Sequence, residues 1–291
     1  MGLAGPRIFG RVASASLTQP DSARVHPDQN EPPAPPAESA RNPSRPPAWR
    51  IEVGDAGVKP VVVITGANGG LGRALVTTFS TQGWQVAAAG HRTPPTPADD
   101  NTFGCAVELA DCESVKQLFA AVVGRFGRLD AVIHNAGITA DGLLAHVSVT
   151  DWDTCLAVNL RGAFLCAQAA ARHMTQPRGG HILQIGSFAS RGAAGQTAYA
   201  AAKAGLIGLG ESLARELAGQ NVRVNTVWPG VLATDMTARL TPERRLALAR
   251  DNLLGRWNEL EEVARFIAHL AETRNISGQV FQLDSRISRW A

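Results

Sequence analysis

Four β-branched residues in a row, Val61-Val62-Val63-Ile64, run into the glycine-rich stretch Thr65-Gly66-Ala67-Asn68-Gly69-Gly70-Leu71-Gly72 and then into a helical pattern. An apolar run of this kind has no polar face. It fits a strand buried on both sides, and such strands belong to parallel sheets covered by helices. The alternation repeats along the chain. Helices are expected at 71–82, 113–126, 151–174, 197–217 and 259–271, and strands at 61–64, 84–89, 102–107, 131–134, 181–185, 222–227 and 279–283. Together they define an α/β fold: a single Rossmann-type doubly wound parallel sheet of about seven strands with helices on both faces.

The domain is expected to occupy residues 58–291. Residues 1–57 differ in kind, since ten of the seventeen prolines fall within the first fifty, including Pro32-Pro33-Ala34-Pro35-Pro36. Such a stretch buries too little apolar surface to offset its ordering entropy and is expected to be disordered. Its first twenty residues carry Arg7, Arg11, several serines and no acid, which resembles an organelle transit peptide. A flexible tail and a translation start placed too far upstream compete with that reading, and the expected location is the cytoplasm.

Across the chain 45% of residues are apolar and 18% charged, with a net charge of +3, as in a globular enzyme. The arginines are scattered rather than striped with aromatics, so no nucleic-acid partner is expected. No run of 18 apolar residues occurs, so no membrane span is expected. Cys105, Cys112, Cys155 and Cys166 share no CxxC spacing, which reads as reduced packing residues and no metal site. His134 and His181 sit in apolar runs and read as structural.

Glycines between a strand and a helix let the backbone turn sharply and bring a pyrophosphate against the unpaired N–H groups of the helix N-terminus. The spacing here is Gly-x-x-x-Gly-x-Gly. The second strand ends in Gly90-His91-Arg92, with no acid to take a ribose 2′-hydroxyl. Arg92, with His91, suits a 2′-phosphate instead, so NADP is expected over NAD. A solvated arginine at a strand end is the competing explanation.

Tyr199 is the single tyrosine, and Lys203 follows it by four residues in an alanine-rich helical stretch. Positions i and i+4 share one helix face, so phenol and ammonium can act as an acid–base pair. A packed tyrosine one turn from a surface lysine is the alternative.

Taken in order, Thr65-Gly66-x-x-x-Gly70-x-Gly72, Asn135-Ala136-Gly137, Tyr199-x-x-x-Lys203 and Pro229-Gly230 resemble the short-chain dehydrogenase/reductases, from about residue 61 to 284. The resemblance implies Tyr199 as proton donor to a carbonyl, with Lys203 lowering its pKa and binding the nicotinamide ribose. It implies Ser187 on the substrate oxygen and Asn159 on a water joining the lysine to solvent. The implied cofactor contacts are Gly66, Asn68, Gly70, Leu71 and Gly72 at the phosphates, and His91, Arg92, Glu108 and Leu109 at the adenosine. Asn135, Ala136 and Gly137 would follow along the cofactor, with Pro229, Gly230, Val231, Leu232 and Thr234 around the carboxamide.

Within that family the stretches 135–144 and 195–208 are most similar to β-ketoacyl-[acyl carrier protein] reductases. This implies NADP-dependent reduction of a 3-oxoacyl thioester in fatty acid biosynthesis, with Gln196 on the substrate side and Arg178 and Arg215 facing an acidic acyl carrier protein. It also implies a homotetramer joined through helices 151–174 and 197–217. Two alternatives stand: the same chemistry on a free sugar, steroid or secondary metabolite, or a non-catalytic nucleotide sensor. The chain departs from the family pattern in several places. Ser187 precedes Tyr199 by twelve residues, one fewer than usual; Gly69 replaces an arginine; Glu108 replaces Asp or Asn; and Asp284-Ser285-Arg286 replaces Asp-Gly-Gly.

Overall fold

The computed structural model describes residues 57–174, 178–238 and 240–287. The proline-rich stretch read as a disordered extension lies, but for its last residue, outside the described residues.

Seven parallel strands form one sheet in the order β3-β2-β1-β4-β5-β6-β7. They are β1 Val61–Thr65, β2 Gln85–Gly90, β3 Thr102–Ala106, β4 Ala131–His134, β5 Gly180–Ile185, β6 Val222–Trp228 and β7 Val280–Gln282. The chain winds outward from β1 to β3, crosses back to β4 and winds the other way. The reversal between β1 and β4 opens a crevice at the carboxyl ends of the strands, where such sheets bind ligands.

The period-2 geometry of a strand divides the core in two. Val61 and Val63 enter one cluster with Leu118, Phe119, Leu165 and Leu217. Val62 and Ile64 enter the other, with Leu75, Phe79, Val263 and Ile267. The first face is covered by α2 (Cys112–Phe126), α4 (Gly162–Ala171) and α5 (Thr197–Leu217), and the second by α1 (Gly70–Thr81) and α8 (Leu260–Glu272). Local signals set the helix ends. Asp111 caps α2 by accepting from the backbone N–H groups of Glu113 and Ser114, and Gly127 closes it at φ 70°.

Two departures from the sequence reading bear on the site. The helix expected over 151–174 begins at Val149 as α3 (Val149–Leu156), passes through a π-turn at Ala157–Arg161, and ends as α4. The looser turn lets the Asn159 amide donate to the Cys155 carbonyl at 2.9 Å and to the Ile138 carbonyl at 2.8 Å. Second, α6 (Asp235–Ala238) and α7 (Pro242–Arg250) fill a stretch where no helix was expected. Thr241 caps α7 from its side chain and Pro242 stands in its first turn, a start signal legible in the sequence.

The combined helix Val149–Ala171 is long and apolar enough to cross a membrane by length and composition, but half of its apolar stretch is buried within the domain, and it carries no unbroken run of 18 apolar residues. The four cysteines are free. His134 and His181 are buried in the sheet, and burial pushes both down to about 3, so they are neutral packing groups as expected.

Candidate active site

The glycine turn is built by lack of room. Gly66 has φ +66°, and a β-carbon there would stand 2.7 Å from the Ala136 Cα. One on Gly70 would meet Thr234 Cγ2 at 2.9 Å, and one on Gly72 would overlap the Gly66 carbonyl. Backbone therefore lines the crevice at the start of α1. No side chain caps that helix, and its first turn carries no acid. Its leading N–H groups and positive dipole end stay available to an anion, which fits a dinucleotide pyrophosphate.

Asn135 joins this turn to β4. Its amide donates to the carbonyls of Thr65 and Gly66 at 3.1 Å each, while its backbone N–H donates to Thr65 Oγ1 at 3.1 Å. The far wall, 229–234, is held by Asn258, which donates to the Pro229 carbonyl at 2.9 Å, and by Thr237, whose hydroxyl donates to the Leu232 carbonyl at 2.7 Å.

A cleft of about 1350 Å³ joins these parts. It is lined by the expected Gly66, Gly70, Leu71, Gly72, His91, Arg92, Glu108, Leu109, Asn135, Ala136 and Gly137, then by Ser187, Gln196, Tyr199, Lys203, Pro229, Gly230, Val231, Leu232 and Thr234. Asn68 does not line it. Its amide donates to the Thr93 carbonyl at 3.0 Å and ties the glycine turn to the loop after β2. That loop holds Arg92 at φ 58°, an uncommon backbone for a non-glycine residue. His91 Nε2 meets Glu108 Oε2 at 2.9 Å; although partial burial pushes Glu108 up, hydrogen bonds from Ala110 and His91 leave it below its ordinary range.

At the other end of the cleft Ser187 lies two residues past β5, its hydroxyl accepting from the Ala189 N–H at 3.1 Å and reaching the Tyr199 phenol. Lys203 is buried and donates to the Ile185 carbonyl at 2.8 Å, its ammonium 5.5 Å from the centre of the Tyr199 ring. Burial pushes the phenol up to about 12 and the ammonium down to about 8. The phenol is thus raised, where Lys203 was expected to lower it. Desolvation leads, Cys155 and Asp141 add to it, and the Ser187 hydrogen bond only partly opposes it.

Asn159 stands behind Gly137, where a β-carbon would come 2.7 Å from its Oδ1 and 3.4 Å from Lys203 Nζ. Among the described residues that Oδ1 is buried without a hydrogen-bond partner, an acceptor near the same glycine as the lysine amine. Gln196 donates to Asp141 at 3.1 Å and closes the loop after β4 onto the start of α5.

Arg178 and Arg215 are exposed and lie away from the cleft. Arg178 precedes β5 by two residues, and Arg215 occupies the last turn of α5 beside Glu211. Both mark the amino end of the sheet, with Arg215 about 24 Å along α5 from Tyr199 at 1.5 Å per residue. The sequence reading also missed Phe188, Arg244, Leu248, Asp251 and Arg286, all on the cleft wall. The replaced Asp-Gly-Gly was the only signal for the last of these.

Residues 60–245 match the model of the short chain dehydrogenases. The 3-oxoacyl-[acyl-carrier-protein] reductase FabG of Thermotoga maritima is 37% identical over 77% of this chain and 96% of its own length. The FabG proteins of Vibrio cholerae and Escherichia coli, under the same description, are 36% and 34% identical, each over 77% of this chain and 95% of their own length. Among solved structures, a mutant short-chain dehydrogenase/reductase from Serratia marcescens superposes with a TM-score of 0.71 at 29% identity, covering 80% of this chain and all of that one. The chain belongs to the short-chain dehydrogenase family. Membership makes it an oxidoreductase that works with a nicotinamide cofactor.

Proposed function

We propose that the protein reduces the keto group of a 3-oxoacyl thioester to the 3-hydroxy form with NADPH, Tyr199 donating the proton. The observation that carries the mechanism is the Tyr199 phenol, hydrogen-bonded to Ser187, on the wall of a cleft with a bare-backbone cradle at its other end. The similarity to proteins named 3-oxoacyl-[acyl-carrier-protein] reductase supports the thioester as substrate. The amides opening α1 would hold the pyrophosphate, Arg92 the 2′-phosphate, Lys203 the nicotinamide ribose, and the 229–234 loop the carboxamide. Bound there, the nicotinamide supplies the hydride.

The chain's own groups manage the oxygen and its proton. Ser187 and Tyr199 orient the carbonyl, Ser187 donates to the oxygen as negative charge grows on it, and Tyr199 gives up its proton. Lys203, with Asn159 Oδ1 behind it, returns a proton toward the phenol through water.

A carrier-borne substrate calls for a second copy of the chain. Arg178 and Arg215 sit at the far end of the sheet from their own cleft. A two-fold axis across α4 and α5 sets these helices antiparallel to their mates and brings one subunit's arginines toward the other's cleft. Phe164 on α4 leaves apolar surface exposed, and a homotetramer in the cytoplasm is the proposed form. The test follows loss of reduced-nicotinamide absorbance with carrier-bound and small 3-oxoacyl thioesters and with free ketones. Arg178→Glu with Arg215→Glu should raise KM for the carrier-bound substrate alone. Turnover of sugars or steroids in preference to both thioesters would overturn the assignment.

A further inference from the structure

The residues that replace Asp-Gly-Gly fold back onto the substrate end of the cleft. Asp284, its side chain 1% exposed, accepts from Gln282 Nε2 at 2.6 Å and from the Arg286 backbone N–H at 3.2 Å. Its other oxygen takes Arg286 Nε at 2.7 Å and also Nη2. The guanidinium so fixed lies 3.9 Å from the centre of the Phe188 ring, which meets Trp228 edge-on at 6.1 Å. Phe188 directly follows Ser187, and Arg286 and Phe188 both line the cleft.

Arg286 is therefore rigid on three sides. Nε and Nη2 are bound to the carboxylate and the plane is stacked on a ring, but Nη1 has no partner among the described residues. The side chain is 12% exposed and lines the cleft, and its Nη1 keeps a pair of N–H groups unspent on the described residues. Asp284 offsets the guanidinium charge, which makes the group a directed donor to an uncharged oxygen rather than a bare cation awaiting an anion.

We infer that Arg286 is a specificity-determining residue: Nη1 donates to a second carbonyl oxygen on the substrate, beside the carbonyl that reacts at Ser187 and Tyr199. The inference rests on the 3-oxoacyl thioester reading, in which the thioester carbonyl lies one methylene from the keto group. Arg286 thus selects 1,3-dicarbonyl substrates over simple ketones.

The test compares kcat/KM for acetoacetyl-N-acetylcysteamine with that for a methyl ketone of equal length lacking the thioester. Proteins compared are the wild type, Arg286→Lys, Arg286→Met, and the double variant Asp284→Asn with Arg286→Met. The double variant removes both partners, so no buried carboxylate is stranded if Arg286→Met alone folds poorly. NADPH affinity, from quenching of protein fluorescence, reports the cradle separately.

Loss of one charge-assisted hydrogen bond should lower the thioester-to-ketone ratio about tenfold to a hundredfold in the Met variants, mainly through KM. Arg286→Lys, which loses the planar fork, should fall with them. A ratio within twofold of wild type in the double variant overturns the inference, as does equal loss on both substrates. A wild-type protein that reduces the ketone but not the thioester overturns the thioester reading itself, and the inference with it.

Discussion

Lys203→Met should make the free protein more stable while disabling it. Lys203 is 2% exposed, and burial brings its ammonium from 10.5 down to about 8. At 1.36 kcal/mol per pH unit, that difference means the folded state bears about 3 kcal/mol for keeping the charge at neutral pH. Methionine fills a similar volume without charge. It strands the Ile185 carbonyl, which now accepts from Nζ at 2.8 Å, at a cost of about 1 kcal/mol. The net gain is about 2 kcal/mol, or about 4–8 °C in Tm for a domain of this size.

The sign of the pH dependence is fixed. The unfolded lysine keeps its proton to about 10.4, while the folded one releases it from about 8. The wild type therefore gains stability as pH rises from about 8 to 10.4, and the variant does not. Urea unfolding of both proteins, free of cofactor, at pH 7 and pH 10 measures this. A variant less stable than wild type at pH 7, or a gap as large at pH 10, would refute the desolvation argument.

Two further outcomes follow from the same geometry. Arg92→Ala should lower the preference for NADPH over NADH about tenfold or more, read as the ratio of kcat/KM values, since one charge-assisted contact to a 2′-phosphate is removed. Buried His181, whose Nε2 lies 2.7 Å from the Asn225 amide, is held neutral down to about 3, while an unfolded histidine protonates near 6.5. Stability should therefore fall as pH drops below about 6.5, and His181→Asn should flatten that slope in acid-unfolding curves followed by circular dichroism.

The sheet was legible because its central strands are buried on both faces. Val61 to Ile64 and Ala131 to His134 leave no polar side to confuse the period, and each lies in the strand expected of it. Helix 197–217 was legible from its alanines and matches to the residue. The π-turn at Ala157–Arg161 was not, because its cause is tertiary: Asn159 reaches the Ile138 carbonyl on another loop. Helix α7 was hidden by a polar, mostly exposed sequence with no apolar stripe to mark its period, although Thr241-Pro242 announced its start.

At the site, the motifs named residues that share one cleft but could not report the balance between burial and charge. The phenol is raised where a neighbouring amine alone would lower it. Spacing along the chain also could not say that Arg178 and Arg215 stand at the far end of the sheet, since that depends on which way α5 runs against the strands.

The account turns on the Tyr199 hydroxyl as the proton donor inside the cleft. Tyr199→Phe removes that one atom and leaves the glycine cradle and Lys203 in place. NADPH binding, followed by fluorescence, should stay within a few-fold of wild type, while turnover of acetoacetyl-N-acetylcysteamine should fall at least about a hundredfold, as loss of a positioned general acid requires. Turnover at the wild-type rate in the Tyr199→Phe variant would contradict it.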